Sequence, residues 1–190
     1  MKEKLIILSA PSGAGKTTIA RHLLDAGLGL EFSISACTRE MRPGEKHGKD
    51  YYFVSAYEFK LRVEDDEFVE WEEVYPGHKY GTLKMEIDRI HEKGNTVLFD
   101  VDVKGGLTLK KIFGQQALAI FIKPPSIESL RERLENRATD TPEKISLRTA
   151  KAEAEMTFEA EFDAVVINDD LKSAVNETLR LVKNFLTLNG

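Results

Sequence analysis

Few short stretches restrict a fold as tightly as Ser9-Ala10-Pro11-Ser12-Gly13-Ala14-Gly15-Lys16-Thr17-Thr18. It follows the apolar run Leu5-Ile6-Ile7-Leu8 and opens a helical pattern that reaches Ala26. Strand, glycine-rich turn, Lys-Thr and helix form the context in which backbone N–H groups and a helix N-terminus face a phosphate, with the lysine reaching its outer oxygens. The loop predicts phosphate contacts from Ala10, Pro11, Ser12, Gly13, Ala14, Gly15, Lys16, Thr17 and Thr18, with Thr17 a ligand for Mg²⁺. Ala10 stands where such a loop normally has its first glycine, which an alanine can replace if φ there is negative.

A strand-first phosphate loop demands further strands of the same sheet, and the chain supplies them. Thr96-Val97-Leu98-Phe99-Asp100-Val101-Asp102 reads as a buried parallel strand running into carboxylates, and Ala117–Ile122 and Ala164–Ile167 read as two more. Between them lie helices signalled by Leu83, Ile87 and Ile90, by Ser126 before Ile127, Leu130 and Leu134, by Thr141-Pro142, and by the apolar stripe from Leu171 to Leu186. Strands alternating with helices predict an α/β fold, a parallel sheet covered by helices on both faces, with ligands outside the carboxyl ends of the strands. From Phe32 to Gly94 the periods mix. One short strand over Phe32–Ala36, a polar stretch to Asp50, a strand over Tyr51–Val54, a helix capped by Ser55 and a strand over Glu67–Tyr75 predict a strand-rich lobe inserted into the main unit. Trp71 reads as core.

With 190 residues the chain can bury one sizeable core. No apolar run approaches the roughly 20 residues of a membrane span, and Met1-Lys2-Glu3-Lys4 runs straight into a strand without room for a signal peptide, so the expectation is a soluble, cytoplasmic protein. The formal net charge of −5 argues against nucleic-acid or membrane-surface partners, which select a basic face. Arginines nevertheless cluster around candidate loops, at Arg39 and Arg42, at Arg131, Arg133 and Arg137, and at Arg148, as a small polyanion requires. Cys37, the single cysteine, excludes an internal disulfide and reads as a small buried residue.

Asp100 ends an apolar strand, as a Walker-B-type acid does, and could hold Mg²⁺ through water; a plain strand-end acid or helix cap is the alternative. Strand spacing would put Asp102 on the same face, and two adjacent acids need a cation or donors between them. Arg39 and Arg42 could grip one phosphate in a fork, or be solvated surface arginines. Tyr51 and Tyr80 are otherwise half-buried sheet aromatics, and Glu70 otherwise belongs to a solvated acidic edge from Glu67 to Glu73. None of the four histidines has metal-ligand spacing.

Taken together, Ser35-x-x-x-Arg39-x-x-Arg42-x-Gly44-Glu45-x-x-Gly48-x-Asp50-Tyr51-x-Phe53, Phe68-Val69-Glu70-Trp71 and Tyr80-Gly81-Thr82, with the loop before and Asp100-Val101-Asp102 after, resemble guanylate kinase over almost the whole chain, through Arg133-Leu134-x-x-Arg137 and Asn168-Asp169. The resemblance implies a P-loop kinase core (1–33, 86–126 and 157–190), a GMP-binding lobe (34–85) and a helical lid (127–156). It places the GMP phosphate on Arg39, Arg42, Tyr51 and Tyr80, and guanine on Ser35, Glu70, Thr82 and Asp102. Lys16, Arg39, Arg42, Arg137 and Arg148 would serve catalysis, while Arg133 and Asn168 would lie by the adenine of ATP. Besides Ala10, Lys104 departs from a usual Gln and Ala138 from a usual Gly. The implied reaction is ATP plus GMP giving ADP plus GDP, with Mg²⁺, dGMP left open as acceptor, in a monomer or homo-oligomer. The alternatives are a non-catalytic guanylate-kinase-like interaction module and a P-loop hydrolase that uses water as acceptor.

Overall fold

A computed structural model describes residues 4–136 and 141–187. The main sheet has five parallel strands in the order β2-β7-β1-β8-β9: β1 (Leu5–Ser9), β2 (Leu30–Phe32), β7 (Thr96–Val101), β8 (Ala117–Lys123) and β9 (Ala164–Ile167). Alternation along β1 divides its side chains between two cores. Ile6 and Leu8 pack with Leu98, Ile120 and Val166 beneath α1 (Lys16–Leu24), α5 (Ile127–Asn136), α6 (Pro142–Met156) and α7 (Leu171–Thr187). Leu5 and Ile7 pack with Phe99 and Phe121 beneath α3 (Lys84–Glu92) and α4 (Val103–Phe113). Burial of both faces explains why these strands read as continuous apolar runs.

A second sheet, β4-β3-β6-β5, is built from β3 (Ala36–Cys37), β4 (Tyr52–Phe53), β5 (Phe68–Tyr75) and β6 (His78–Leu83), with α2 (Ala56–Glu64) against it. Its own small core stacks Phe59 on Phe68 with ring centroids 4.6 Å apart. Gly81 is required there, since a Cβ would come within 2.6 Å of the Phe68 ring. The caps expected from sequence form: Ser55 accepts from the Glu58 N–H, Ser126 from Ser129, and Thr141 from Lys144, with Pro142 in the first helical turn.

The structure corrects three expectations. The single strand over Phe32–Ala36 is two strands in different sheets, because the Ile34 N–H leaves the main sheet to donate to Glu86 Oε2 at 2.8 Å. Asp102 is outside its strand and caps α4, accepting from the Gly105 N–H at 2.9 Å, so it does not share a strand face with Asp100. Trp71 is 45% exposed, its ring edge on Phe59 and Lys79 over its face.

Candidate active site

Parallel strands all end on one edge, which gathers the phosphate loop after β1, Asp100 at the end of β7 and Asn168 after β9. Gly13 and Gly15 turn the loop with φ of 100° and 93°, values that L side chains resist. Among the described residues only Asp66 has positive φ without being glycine, so Ala10 meets the condition set for it. Leu130 and Leu134 of α5 lie over Gly13, and a Cβ on Gly15 would overlap the Asn168 amide, which donates to the Ala14 carbonyl at 2.7 Å. The Asn168 carbonyl in turn accepts from Arg133 Nη2 at 2.8 Å. Arg133 and Asn168 thus brace the loop from behind.

A cavity of about 250 Å³ opens in front of the loop. Ala10, Pro11, Ser12, Gly13, Gly15, Lys16, Thr17 and Thr18 line one side; Ser35, Arg39, Arg42, Tyr51, Glu70 and Tyr80 come from the inserted sheet; Asp100 and Asp102 from the strand end; and Arg148 from α6. Among the expected site residues, Ala14, Thr82, Arg133 and Asn168 do not line it, and Arg137, like Ala138, is outside the described residues.

Lys16 pairs directly with Asp100 Oδ1, and the Thr17 hydroxyl donates to Asp100 Oδ2 at 3.0 Å. Burial pulls the lysine down to about 8, opposed by the nearby Asp102 and Glu155 carboxylates. One hydroxyl and one carboxylate are hard oxygen donors, and Mg²⁺ characteristically takes one or two protein ligands and completes its shell with water and substrate phosphates. The described residues hold no cluster of three or more metal-ligating side chains. The donor set therefore fits a metal shared with a nucleotide, and not an all-protein cage.

Across the cavity, Glu45 clasps Arg39 through both carboxylate oxygens, at 2.6 and 2.7 Å, and accepts from the Arg42 N–H at 2.8 Å. The hydrogen bond from Arg39 is the main reason the Glu45 carboxyl sits below its ordinary value. The Arg39 guanidinium also lies 4.9 Å from the Tyr51 ring centroid and 5.3 Å from that of Phe53, with Tyr80 edge-on to Tyr51. Burial raises both phenols, Tyr80 to about 12, and keeps them as neutral donors. The result is a preorganised set of cationic and O–H donors.

Deeper in the cleft the Thr82 hydroxyl donates to Glu70 Oε1 at 2.6 Å. Burial lifts the Glu70 carboxyl to about 7; Thr82 opposes the shift and the nearby Asp102 adds to it. Glu70 and Asp102 converge on Gly105, where a Cβ would lie 3.0 Å from an oxygen of each. Lys104, the departure noted above, is ion-paired with Glu72 at 3.0 Å.

Several site residues escaped the sequence reading, among them Glu72, Val74 and Tyr75 in the cavity lining. Glu45 lay inside the motif without a role, and its spacing from Arg39 gave no hint of the clasp. Lys151 and Glu155 also line the cavity. They follow Arg148 at i+3 and i+7 on one helical face, and that periodicity is a usable signal once Arg148 is placed.

A doubly covered parallel sheet, a phosphate loop leading into its first helix, and a cationic pocket on an inserted lobe are the features of a P-loop nucleotide phosphotransferase. The guanylate kinase family model matches residues 2–186. Guanylate kinases of Bacteroides thetaiotaomicron and Porphyromonas gingivalis are 55% and 50% identical to it; the alignments cover 98% and 96% of this chain and 91% and 98% of theirs. The crystal structure of guanylate kinase from Anaplasma phagocytophilum superposes with a TM-score of 0.78 at 30% identity, over 95% of this chain and 85% of that one. The chain belongs to the guanylate kinase family, within the nucleoside monophosphate kinases.

Proposed function

We propose that the chain transfers the terminal phosphoryl group of ATP to GMP with the cleft residues in the following roles. The phosphate loop, Lys16 and Thr17 hold the ATP phosphates. Arg39, Arg42, Tyr51 and Tyr80 hold the GMP phosphate, and Glu70, Asp102, Ser35 and Thr82 form the guanine subsite. Arg148 and Arg137 are brought to the transferring group from the lid (127–156), while the lobe at 34–85 carries the acceptor. Arg133 and Asn168 lie on the adenine side, and they act there through the loop they brace.

Thr17 and Asp100, the latter through water, would hold Mg²⁺, which would supply positive charge to offset that of the nucleotide phosphates. The acceptor needs no general base, because a phosphate monoester with a second pKa near ~6 is mostly ionised at neutral pH. What the chain must overcome is the repulsion of two anions, and positioning plus fixed positive charge is the main catalytic resource for such a transfer. Lys16 and the arginines supply it.

The observation that carries this reading is that one cavity is lined by both the phosphate loop and the Arg39–Tyr51–Tyr80 set. A hydrolase has no use for the second set, and an interaction module none for Lys16 and Thr17 facing Asp100. Cytoplasmic residence, GMP and ATP as the small-molecule partners, and independence of nucleic acid and membrane belong to the same reading. Among the described residues no helix is long and apolar enough to cross a membrane. The test is ADP formation from ATP and Mg²⁺ with GMP, with AMP, or with no acceptor. GMP-dependent ADP is expected, and equal ADP release without acceptor would replace this reading with hydrolysis.

A further inference from the structure

Lys151 makes contacts that the proposed reaction does not use. It sits on the cleft face of α6, and its ammonium donates to the Val74 carbonyl of β5 at 3.0 Å. The same ammonium is 3.3 Å from Glu155 Oε1, 3.6 Å from Asp102 Oδ2 and 4.8 Å from the Tyr75 ring centroid. One side chain therefore touches the lid helix, the inserted lobe and the N-cap of α4. Asp102 Oδ1 is fixed by the Gly105 N–H, whereas Oδ2 is buried without a hydrogen-bond partner. Lys151 lies 3.6 Å from that second oxygen, and Lys16 and Lys104 are also close enough to feel the Asp102 charge. The cleft gathers Glu70, Glu72, Asp102 and Glu155, while Lys16 is committed to Asp100 and Lys104 to Glu72. Like charges this close are tolerated only with a counter-charge or a proton between them, and here part of the counter-charge arrives on α6.

We infer that Lys151 is a positioning residue of the guanine subsite: riding on α6, it orients the Asp102 carboxylate beside Glu70, so that seating the lid helix and completing the base-reading pair are one event. The inference rests on the reading of Asp102 as a guanine contact given above. A contact made to the base before and during phosphoryl transfer is uniform binding, and its loss appears in KM for the acceptor with kcat largely retained.

The experiment is steady-state kinetics on Lys151→Met, which keeps the aliphatic stem and removes the charge. KM for GMP should rise about tenfold, the scale of a lost hydrogen bond to a charged group. Both kcat and KM for ATP should move by less than about threefold. Lys151→Arg, which retains the cation, should recover most of the GMP affinity. A part confined to holding α6 against β5 predicts something else: Arg148 rides on the same helix, so kcat would fall and both KM values would rise. That pattern, or a KM for GMP within about twofold of wild type, would overturn the inference. If the Met variant unfolds, Lys151→Gln takes its place, since it can still donate to Val74. The same acceptor-selective rise is then expected, and a normal KM for GMP is the contrary result. Wild type is assayed first, and absence of GMP-dependent ADP there removes the functional reading and this inference with it.

Discussion

At the scale of single residues, the site is a set of charges placed where folding alone would not put them. Glu70 is the clearest case. Burial holds its carboxyl near 7, so from about 4.5 to 7 the folded chain binds more protons than the unfolded one and this group erodes stability as pH rises. In the proposed guanine subsite the base would repair the situation, since its N1–H and exocyclic amino group are adjacent donors matched to the two oxygens of a carboxylate. GMP should therefore bind the ionised form, release a proton on binding near pH 6.5, and lose affinity as pH falls below about 7. Calorimetry in buffers of different ionisation heat measures that release. Glu70→Gln should abolish the Glu70 part, leaving the contribution of the GMP phosphate. The variant should also lower kcat/KM for GMP by ~10²-fold or more and narrow the preference for GMP over AMP, since AMP offers an acceptor where guanine offers a donor. It should be at least as stable as wild type at pH 8. An unchanged GMP to AMP ratio would move base reading elsewhere. Lys16 is the counterpart on the donor side. Lys16→Ala should lower kcat by roughly two orders of magnitude, as loss of a preorganised electrostatic contact does, with GMP binding retained; near-normal turnover would sink the phosphate-loop role.

At the scale of elements, what could be read in advance depended on how local the determining physics is. Buried parallel strands and side-chain caps at Ser55, Ser126 and Thr141 are written in neighbouring residues and were legible. The division of Phe32–Ala36 between two sheets was not, because it is decided by Glu86, some fifty positions away in sequence. The strand His78–Leu83 and the capping role of Asp102 were missed although their partners are local: the strand pairs with β5 across the turn between Tyr75 and His78, and Asp102 accepts from Gly105 three residues on. Most of the expected site residues do line one cavity, whereas the clasp of Glu45 on Arg39 was not legible, and Lys151 and Glu155 become so only once Arg148 is placed on the same helical face. Glu86 shows what such a residue does for the junction between the two sheets. Fully buried, it accepts from the Ile34 N–H, the Tyr52 hydroxyl and Arg89, which also pairs with Glu31 and donates to the Phe32 carbonyl. Burial alone would raise the Glu86 carboxyl, and those donors together hold it below its ordinary value. Burial opposes Glu31 in the same way, but Lys93, Asn95 and Arg89 bring it to about 2. Both groups contribute stability above about 4.5 that is lost as pH falls through their folded values. Glu86→Leu should cost roughly 3 kcal/mol in denaturant unfolding at pH 7, because it takes one of two carboxylate partners from Arg89 and leaves two half-buried donors without their acceptor. It should also flatten the acid limb of stability. A loss below about 0.5 kcal/mol, the scale of an ordinary surface change, would show the network to be dispensable.

At the scale of the whole molecule, the cleft is too small for its proposed contents. About 250 Å³ is available in front of the phosphate loop, whereas pockets for single drug-sized ligands span roughly 300–1,000 Å³. Two nucleotides must share this one. Across its mouth, Lys151 ties α6 to the Val74 carbonyl of β5, and Arg39, Arg42, His78, Lys144 and Arg148 border a larger groove, of about 880 Å³, between α6 and the inserted sheet. On the proposed reading, entry would require α6 and the lobe to separate and chemistry would require them to return with Arg148 toward the phosphates, so the expectation is a cycle of opening and closing tied to turnover. The chain is suited to observing that cycle. Its single cysteine, Cys37, is buried, and Lys60 on α2 and Glu153 on α6 are exposed positions on the two moving parts. With donor and acceptor dyes on Lys60→Cys and Glu153→Cys, single-molecule energy transfer should show at least two interconverting distances without nucleotide. Those should narrow to one short distance with GMP and a non-hydrolysable ATP analogue together, and only partly with either alone, because each nucleotide supplies half of the charge that the lid arginine and the lobe arginines converge upon. Lys151→Met should shift the nucleotide-free population toward the longer distance. One unvarying distance in a doubly labelled protein that still turns over would mean that the cleft admits its substrates without lid movement, and that the cavity volume has been set by side chains alone.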